Sequence, residues 1–265
     1  MTSSRGLGQD SQEDVTEDTY DVVVIGAGIG GLTCSGILAK NGLSTLVVEQ
    51  HSKPGGYVTS YKKGKFVFDV PHVISGLRKN SPLERVVSYL GLKNDIKFIE
   101  SEPYQKFIYP EHTIRAYTDI DRYATELVGA FPKEKANIHR YFETLATIWN
   151  VVTVGLPYQP RKLDYLRALV KWRVLTKYKT YKDLLDKHFS DERLKSILSS
   201  QWEYLGLPAS KISATAMAMM LMSNHDGGAW YPRGGYGAMA EAFANGLKTW
   251  RDTFIKHASS ENIDR

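Results

Sequence analysis

The run Asp21-Val22-Val23-Val24-Ile25 is apolar after its first residue and rich in β-branched side chains. Such a run predicts a parallel strand buried on both faces. It passes directly into Gly26-Ala27-Gly28-Ile29-Gly30-Gly31. Leu32, Gly36 and Ala39 then fall on one side of a helix, and Asn41-Gly42 offers its C-cap. Thr45-Leu46-Val47-Val48 predicts a second strand, which ends in Glu49. Farther on, Lys106–Tyr109 and Thr113–Tyr117 flank Pro110-Glu111-His112, the pattern of a β-hairpin. From Asp119, a residue suited to an N-cap, the periodicity is helical almost to His225, with breaks near Phe131-Pro132, Gly155-Leu156-Pro157 and Gly206-Leu207-Pro208.

Composition narrows the class without naming a function. The 265 residues are 42% hydrophobic and 24% charged, ordinary for a globular protein. No apolar run approaches the roughly 20 residues that span a bilayer. The stretch from Met1 to Thr19 is polar and acidic, lacks the basic start and apolar core of a secretory signal, and reads as a disordered tail. Cys34 is the single cysteine, so neither an intramolecular disulfide nor a multi-cysteine metal site is available. These features point to the cytoplasm. The net charge of +5 favours solubility and leaves room for contact with an anionic surface, and no nucleic-acid motif is present.

The glycine-rich turn carries the first chemical signal. Gly26 permits the tight strand-to-helix turn, Gly28 leaves the backbone open to a pyrophosphate, and Gly31 allows the helix to pack closely on the strand. The helix start, including Ala27 and Gly30, turns free N–H groups and the positive end of the dipole toward the phosphates. Glu49 stands where it can accept from ribose hydroxyls and would repel a 2′-phosphate, which argues against NADP. Strand, turn, helix, second strand and terminal acid occur in order, which a glycine-rich turn alone would not require.

Beyond them, Glu49-Gln50-His51-Ser52-Lys53-Pro54-Gly55-Gly56 resembles the acid-then-Gly-Gly stretch of the large FAD family that contains amine oxidases and phytoene desaturases. The resemblance implies that Gln50, Lys53, Gly55 and Gly56 join the FAD site, with Lys53 where the family most often has Arg. Lys65-Phe66-Val67-Phe68-Asp69-Val70-Pro71-His72-Val73 is similar to the strand ending in Phe-Asp-x-Gly that leads under the flavin. Gly227-Gly228-Ala229-Trp230-Tyr231-Pro232-Arg233-Gly234-Gly235 is similar to the family's tyrosine-proline-x-glycine-glycine element before a helix. Together they resemble the branch with phytoene desaturases, carotenoid isomerases and retinol saturases, from about Asp21 to Leu247.

That likeness implies an α/β fold: a Rossmann-like FAD-binding domain, incomplete, carrying a mostly helical substrate-cap insertion. The expected organisation is a tail over 1–19, FAD-binding segments over 20–118 and 227–265, and the cap over 119–226. The expected activity is an FAD-dependent oxidoreductase acting on carbon–carbon bonds of a carotenoid-like or other apolar isoprenoid, by desaturation, saturation or isomerisation. Two departures stand out. Pro71 occupies the place of the family's glycine, fixing φ and removing an N–H. Family members are about twice as long, and the expected glycine turn and strand after Leu247 are replaced by Lys248-Thr249-Trp250-Arg251-Asp252-Thr253 and a polar end. The expectation is therefore a truncated chain that lacks a C-terminal fragment.

Within the cap, Met217, Met219, Met220 and Met222 suit either a mouldable lipid pocket or a core helix, the second being the commoner use. Residues from Arg161 to Lys182 form a basic, imperfectly amphipathic stretch compatible with a peripheral membrane contact. No nucleophile–base pair or metal-ligand cluster is evident, as expected where a flavin carries the chemistry. His72, His225 and Arg233 are the candidates for a proton donor or flavin counter-charge. Two alternatives remain open: an amine oxidase relative, or an inactive nucleotide-binding remnant.

Overall fold

The computed structural model describes residues 19–153, 172–249 and 253–257. The tail up to residue 18, the break at 155–157, residues 161–171 of the basic stretch and the C-terminal residues from 258 lie outside them. The chain divides into two compact units, one formed by Met1–Tyr57 with Ala240–Arg265 and the other by Val58–Met239. This partition groups residues 58–118 with the helical segment, where the motifs alone place them in the nucleotide-binding domain.

In the first unit, β1 (Val22–Ile25) leads through the glycine turn into α1 (Ile29–Lys40), and β2 (Thr45–Glu49) follows. The strands pair in parallel with Val22 opposite Thr45 and Ile25 opposite Val48. Helix α1 buries Leu32, Ser35, Gly36 and Ala39, and Asn41 caps its end with Gly42 in the left-handed region at φ +89°. The expectation that β1 is buried on both faces is not met. Side chains alternate across a strand, and Val23 and Ile25 on one face are 45% and 66% exposed.

A third strand, β10 (Thr253–His257), pairs in parallel with β2, so the sheet order is β1-β2-β10. This corrects the expectation that no strand follows Leu247. The segment Thr253-Phe254-Ile255 carries β-branched and aromatic side chains that suit a strand, although no glycine turn announces it.

The second unit joins small antiparallel sheets to a helical core. One hairpin is β3 (Ser60–Lys63) with β4 (Phe66–Asp69). A three-stranded sheet has the order β5-β9-β6, from Ile74–Ser75, Ala229–Pro232 and Phe98–Glu100, and α2 (Pro82–Tyr89) lies between β5 and β6 in the chain. The hairpin foreseen around Pro110 is β7 (Gln105–Ile108) with β8 (Thr113–Ala116).

Helix α3 (Ile120–Ala130) begins at Asp119, whose carboxylate accepts from the Arg122 N–H at 2.8 Å. Then follow α4 (Lys135–Thr153), α5 (Tyr181–His188), α6 (Glu192–Ser199), α7 (Ala214–Gly227) and α8 (Gly235–Leu247). Thr180 and Asp183 form a capping box at the start of α5. The core of this unit gathers Tyr123, Leu127, Ile138, Tyr141, Leu145, Tyr181, Leu184 and Leu194 with Met217 and Met222 from α7. Met217 is fully buried and Met220 packs against this cluster, so these methionines serve as core.

Candidate functional site

The turn between β1 and α1 separates three uses of glycine. Gly26 sits at φ +96°, where a side chain would be strained. A Cβ on Gly31 would come within 2.0 Å of the Gly26 carbonyl oxygen, so this glycine is demanded by packing. Gly28 answers to neither need. Its φ is −68° and ψ 170°, ordinary for any residue, and a Cβ there would meet no protein atom within 4 Å. Gly30 is likewise open.

The Gly-Gly return loop closes over this turn. The Gly55 N–H donates to the Ala27 carbonyl at 2.7 Å, and Gly28 and Gly55 form a parallel bridge. Gly55 and Gly56 lie at φ +120° and +58°. A Cβ on Gly56 would stand 3.3 Å from the Gly28 Cα, so two glycine backbones face each other at close range.

Glu49 ties the site together. Its Oε2 accepts from the Ala27 N–H at 2.6 Å and its Oε1 from the His51 N–H at 2.9 Å. Burial pushes the carboxyl up, but the backbone N–H groups of His51 and Ala27, with the charge of His51, outweigh it and hold it below its usual value. Each oxygen keeps a second lone pair, so contact with a ribose hydroxyl is compatible with the staple. Ile25, Gly26, Gly28, Val48, Glu49, Gln50, His51 and Gly56 line one cleft of about 350 Å³. Ala27 is fully buried behind it. Gly30, Gly31, Lys53 and Gly55 are not among the lining residues, and Lys53 is exposed. His51 lines the cleft without having been singled out, because its part comes from chain direction after β2 and no motif marks it.

The candidates for chemistry lie in the second unit and are not brought together. His72 is exposed, its ring edge-on to Tyr204 at 5.5 Å. The ring of His225 sits among those of Tyr104, Tyr123 and Phe142, with Nδ1 2.8 Å from the Thr118 carbonyl oxygen. Burial pushes its pKa down, against smaller opposing effects of that hydrogen bond and of Asp119 and Glu102. The Arg233 side chain is exposed, while its backbone N–H donates to the Lys97 carbonyl at 2.7 Å.

A constellation that the motifs did not disclose centres on Asp69. Its Oδ1 accepts from the Ser60 hydroxyl and from the Tyr236 N–H at 3.1 Å, and its Oδ2 accepts from the Tyr231 hydroxyl. The Ser60 hydroxyl oxygen accepts from the Gly237 N–H at 2.9 Å. The β3–β4 hairpin thus supplies the N-terminal partners of α8, and Cβ atoms on Gly235 and Gly237 would crowd Asp69 and Ser60 at 3.0 Å. The signal lay in Phe-Asp and Tyr-Pro-x-Gly-Gly together, but their 162-residue separation hides the bond.

Residues 24–90 match the family described as NAD(P)-binding Rossmann-like domain. The chain is 30% identical over 260 residues to prolycopene isomerase 1, chloroplastic, of an Oncidium hybrid cultivar, covering 93% of this chain and 44% of the relative. It is 30% identical over 241 residues to all-trans-retinol 13,14-reductase of Danio rerio, covering 83% of this chain and 38% of the relative. The chain therefore spans less than half the length of these relatives. In fold it is similar to the PF1083 protein from Pyrococcus furiosus, with a TM-score of 0.58 at 19% identity over 89% of this chain and 50% of the other. Wild-type putrescine oxidase bound to putrescine gives 0.55 at 19% identity with the same coverage. The resemblance drawn from the motifs holds: the chain is homologous to carotenoid isomerases and retinol reductases, on an α/β Rossmann-like fold. The likeness to an amine oxidase is one of fold alone.

Proposed function

We propose that the chain binds FAD through its first unit and forms part of an FAD-dependent oxidoreductase acting on the carbon–carbon bonds of a polyene or other apolar isoprenoid. The observation that carries the cofactor reading is Gly28. Neither its backbone angles nor its packing requires glycine, yet it lines the cleft, and a ligand pressed against the backbone supplies the missing reason. The start of α1 directs N–H groups and the dipole toward a pyrophosphate. Glu49, already ionised by its backbone donors, suits ribose hydroxyls and disfavours a 2′-phosphate.

When bound, a flavin supplies the hydride chemistry. The chain's own work is to bind and orient: Gly28 and Gly56 admit the pyrophosphate backbone to close approach, Glu49 fixes the ribose, and residues 119–226 act as the substrate cap. The apolar substrate follows from the relatives, whose names specify prolycopene and all-trans-retinol. His72, His225 and Arg233 remain candidates for proton or charge management. Of these, His225 is half-buried among aromatic rings with its pKa lowered chiefly by burial, which suits a structural part better than proton donation.

A second reading, a nucleotide-binding module without turnover, draws on the exposed apolar face of β1 at Val23 and Ile25. The purified chain is to be equilibrated with FAD, desalted and scanned in the visible. Retained flavin absorbance with desaturation or isomerisation of an added polyene, or with its reduction once dithionite has reduced the flavin, supports the full reading. Retained flavin without turnover leaves the module. Failure to retain FAD while holding NAD overturns the cofactor assignment.

A further inference from the structure

Eight consecutive residues, Tyr61 through Phe68, are exposed, and they make up nearly all of the β3–β4 hairpin. Tyr61 pairs with Phe68 and Lys63 with Phe66. Residues opposite each other in an antiparallel ribbon project from the same face. Tyr61, Lys63, Phe66 and Phe68 therefore share one face, while Ser60 and Asp69 point to the other, where they hold the start of α8.

The aromatic face is an assembled surface. The Tyr61 and Phe68 rings stack at 5.5 Å, and Phe66 and Phe68 lie 6.4 Å apart. Exposure is 54% for Tyr61, 60% for Phe66 and 44% for Phe68, and Val67, paired with Lys62 on the opposite face, is 60% exposed. Single exposed apolar residues are common, but a contiguous group marks an interaction site. Lys62, Lys63 and Lys65 are interleaved with it, Lys65 Nζ lies 5.6 Å from the centre of the Phe66 ring, and no acidic residue occurs between Tyr57 and Phe68.

We propose that the β3–β4 hairpin is a membrane-docking element: its lysines engage anionic headgroups while Tyr61, Phe66 and Phe68 enter the interfacial layer of the bilayer. Charge complementarity selects this occupant over a protein face. Protein interfaces are depleted in lysine, especially at their cores, whereas three lysines stand among these eight residues. Aromatic rings with a polar or cationic neighbour are the side chains that settle at the bilayer interface. The turn at Gly64, with φ +61°, places Lys63 and Lys65 on either side of the tip. This surface belongs to a different part of the sequence from the basic stretch between Arg161 and Lys182, and the inference goes beyond the proposed reaction.

The test is sedimentation of the full chain with vesicles that contain neither flavin nor polyene, so its result is independent of the proposed activity. Binding to phosphatidylcholine vesicles carrying phosphatidylserine is expected to exceed binding to pure phosphatidylcholine about tenfold and to weaken with salt. The Phe66→Ser/Phe68→Ser and Lys62→Glu/Lys63→Glu/Lys65→Glu variants should each lose most of that binding while melting like the parent. In a Cys34→Ser background, an environment-sensitive dye on Tyr61→Cys should shift to the blue only when anionic vesicles are added. Absence of binding, or binding that survives both variants, overturns the proposal. A dye already blue-shifted without lipid, with concentration-dependent self-association, overturns it in favour of a protein partner.

Discussion

Three glycines within six residues answer to three different forces, and substitution separates them. At Gly31 an added methyl would collide with the Gly26 carbonyl oxygen, and backbone does not yield as a flexible side chain does. Gly31→Ala should therefore destabilise the chain by about 1–3 kcal/mol or more. At Gly28 the same methyl meets open space, so Gly28→Ala should cost under about 1 kcal/mol, chiefly from the poorer N-cap. The two variants should rank oppositely in another respect: Gly28→Ala melts nearly like the parent yet loses flavin, whereas Gly31→Ala loses stability first. Thermal melts paired with flavin retention check this. A Gly28→Ala chain that still holds FAD as tightly as the parent removes the main support for the cofactor reading. Glu49 joins the loop and the strand end through both oxygens, so Glu49→Gln confronts one backbone N–H with an amide donor. A loss of about 1–3 kcal/mol is expected, read as a lower urea midpoint.

At the scale of elements, the start of α8 depends on a hairpin far away in sequence. Burial raises the Asp69 carboxyl, but hydrogen bonds from Ser60, Tyr231 and the Tyr236 N–H outweigh it and hold its pKa below the usual value. A carboxyl depressed in the folded state contributes stability above its unfolded pKa of about 3.9, and that contribution disappears as pH falls through the folded value. Asp69→Asn should thus cost about 1–3 kcal/mol at pH 7, with the gap from the parent closing below about pH 4. Urea titrations at pH 7 and in acid measure both. A gap that stays constant with pH would mean that the charge on Asp69 contributes nothing to the cap. The Tyr231 hydroxyl, donating to Asp69, is pushed up to about 12, chiefly by that bond.

Over the whole molecule, the helical unit buries titratable rings in an apolar core, and this sets its response to mild acid. Burial is the largest cause lowering the pKa of His225, and it lowers that of His188 as well. A histidine with a depressed folded pKa binds fewer protons than its unfolded counterpart just below about pH 6.5, so stability falls as pH drops through that range. The melting temperature should decline between pH 7.5 and 5.5, and His225→Asn, whose amide can still donate to the Thr118 carbonyl, should flatten the decline. Calorimetry across that range decides it, and an unchanged slope would show that His225 does not couple protonation to folding.

Much of the nucleotide cleft was legible before folding, because its signals are local. A β-branched run, a glycine turn, one apolar helix face and a terminal acid sit within thirty residues, and short-range sterics alone convert them into β1, α1 and β2. The Asp119 cap and the β7–β8 hairpin are local in the same way. What the sequence could not announce depends on partners distant along the chain. Glu49 reads as a ribose ligand, and only the folded turn reveals it as the staple of the Ala27 and His51 N–H groups. Asp69 meets Tyr231 and Tyr236, and β10 joins β2 without a glycine to signal its approach. The apolar run of β1 reads the same whether one face is covered or two, since covering is a property of neighbours. Periodicity and turn chemistry thus determined the local elements. Which residues meet, and which faces stay exposed, was decided by tertiary structure, because close packing and hydrogen-bond partnership join groups without regard to their distance in sequence.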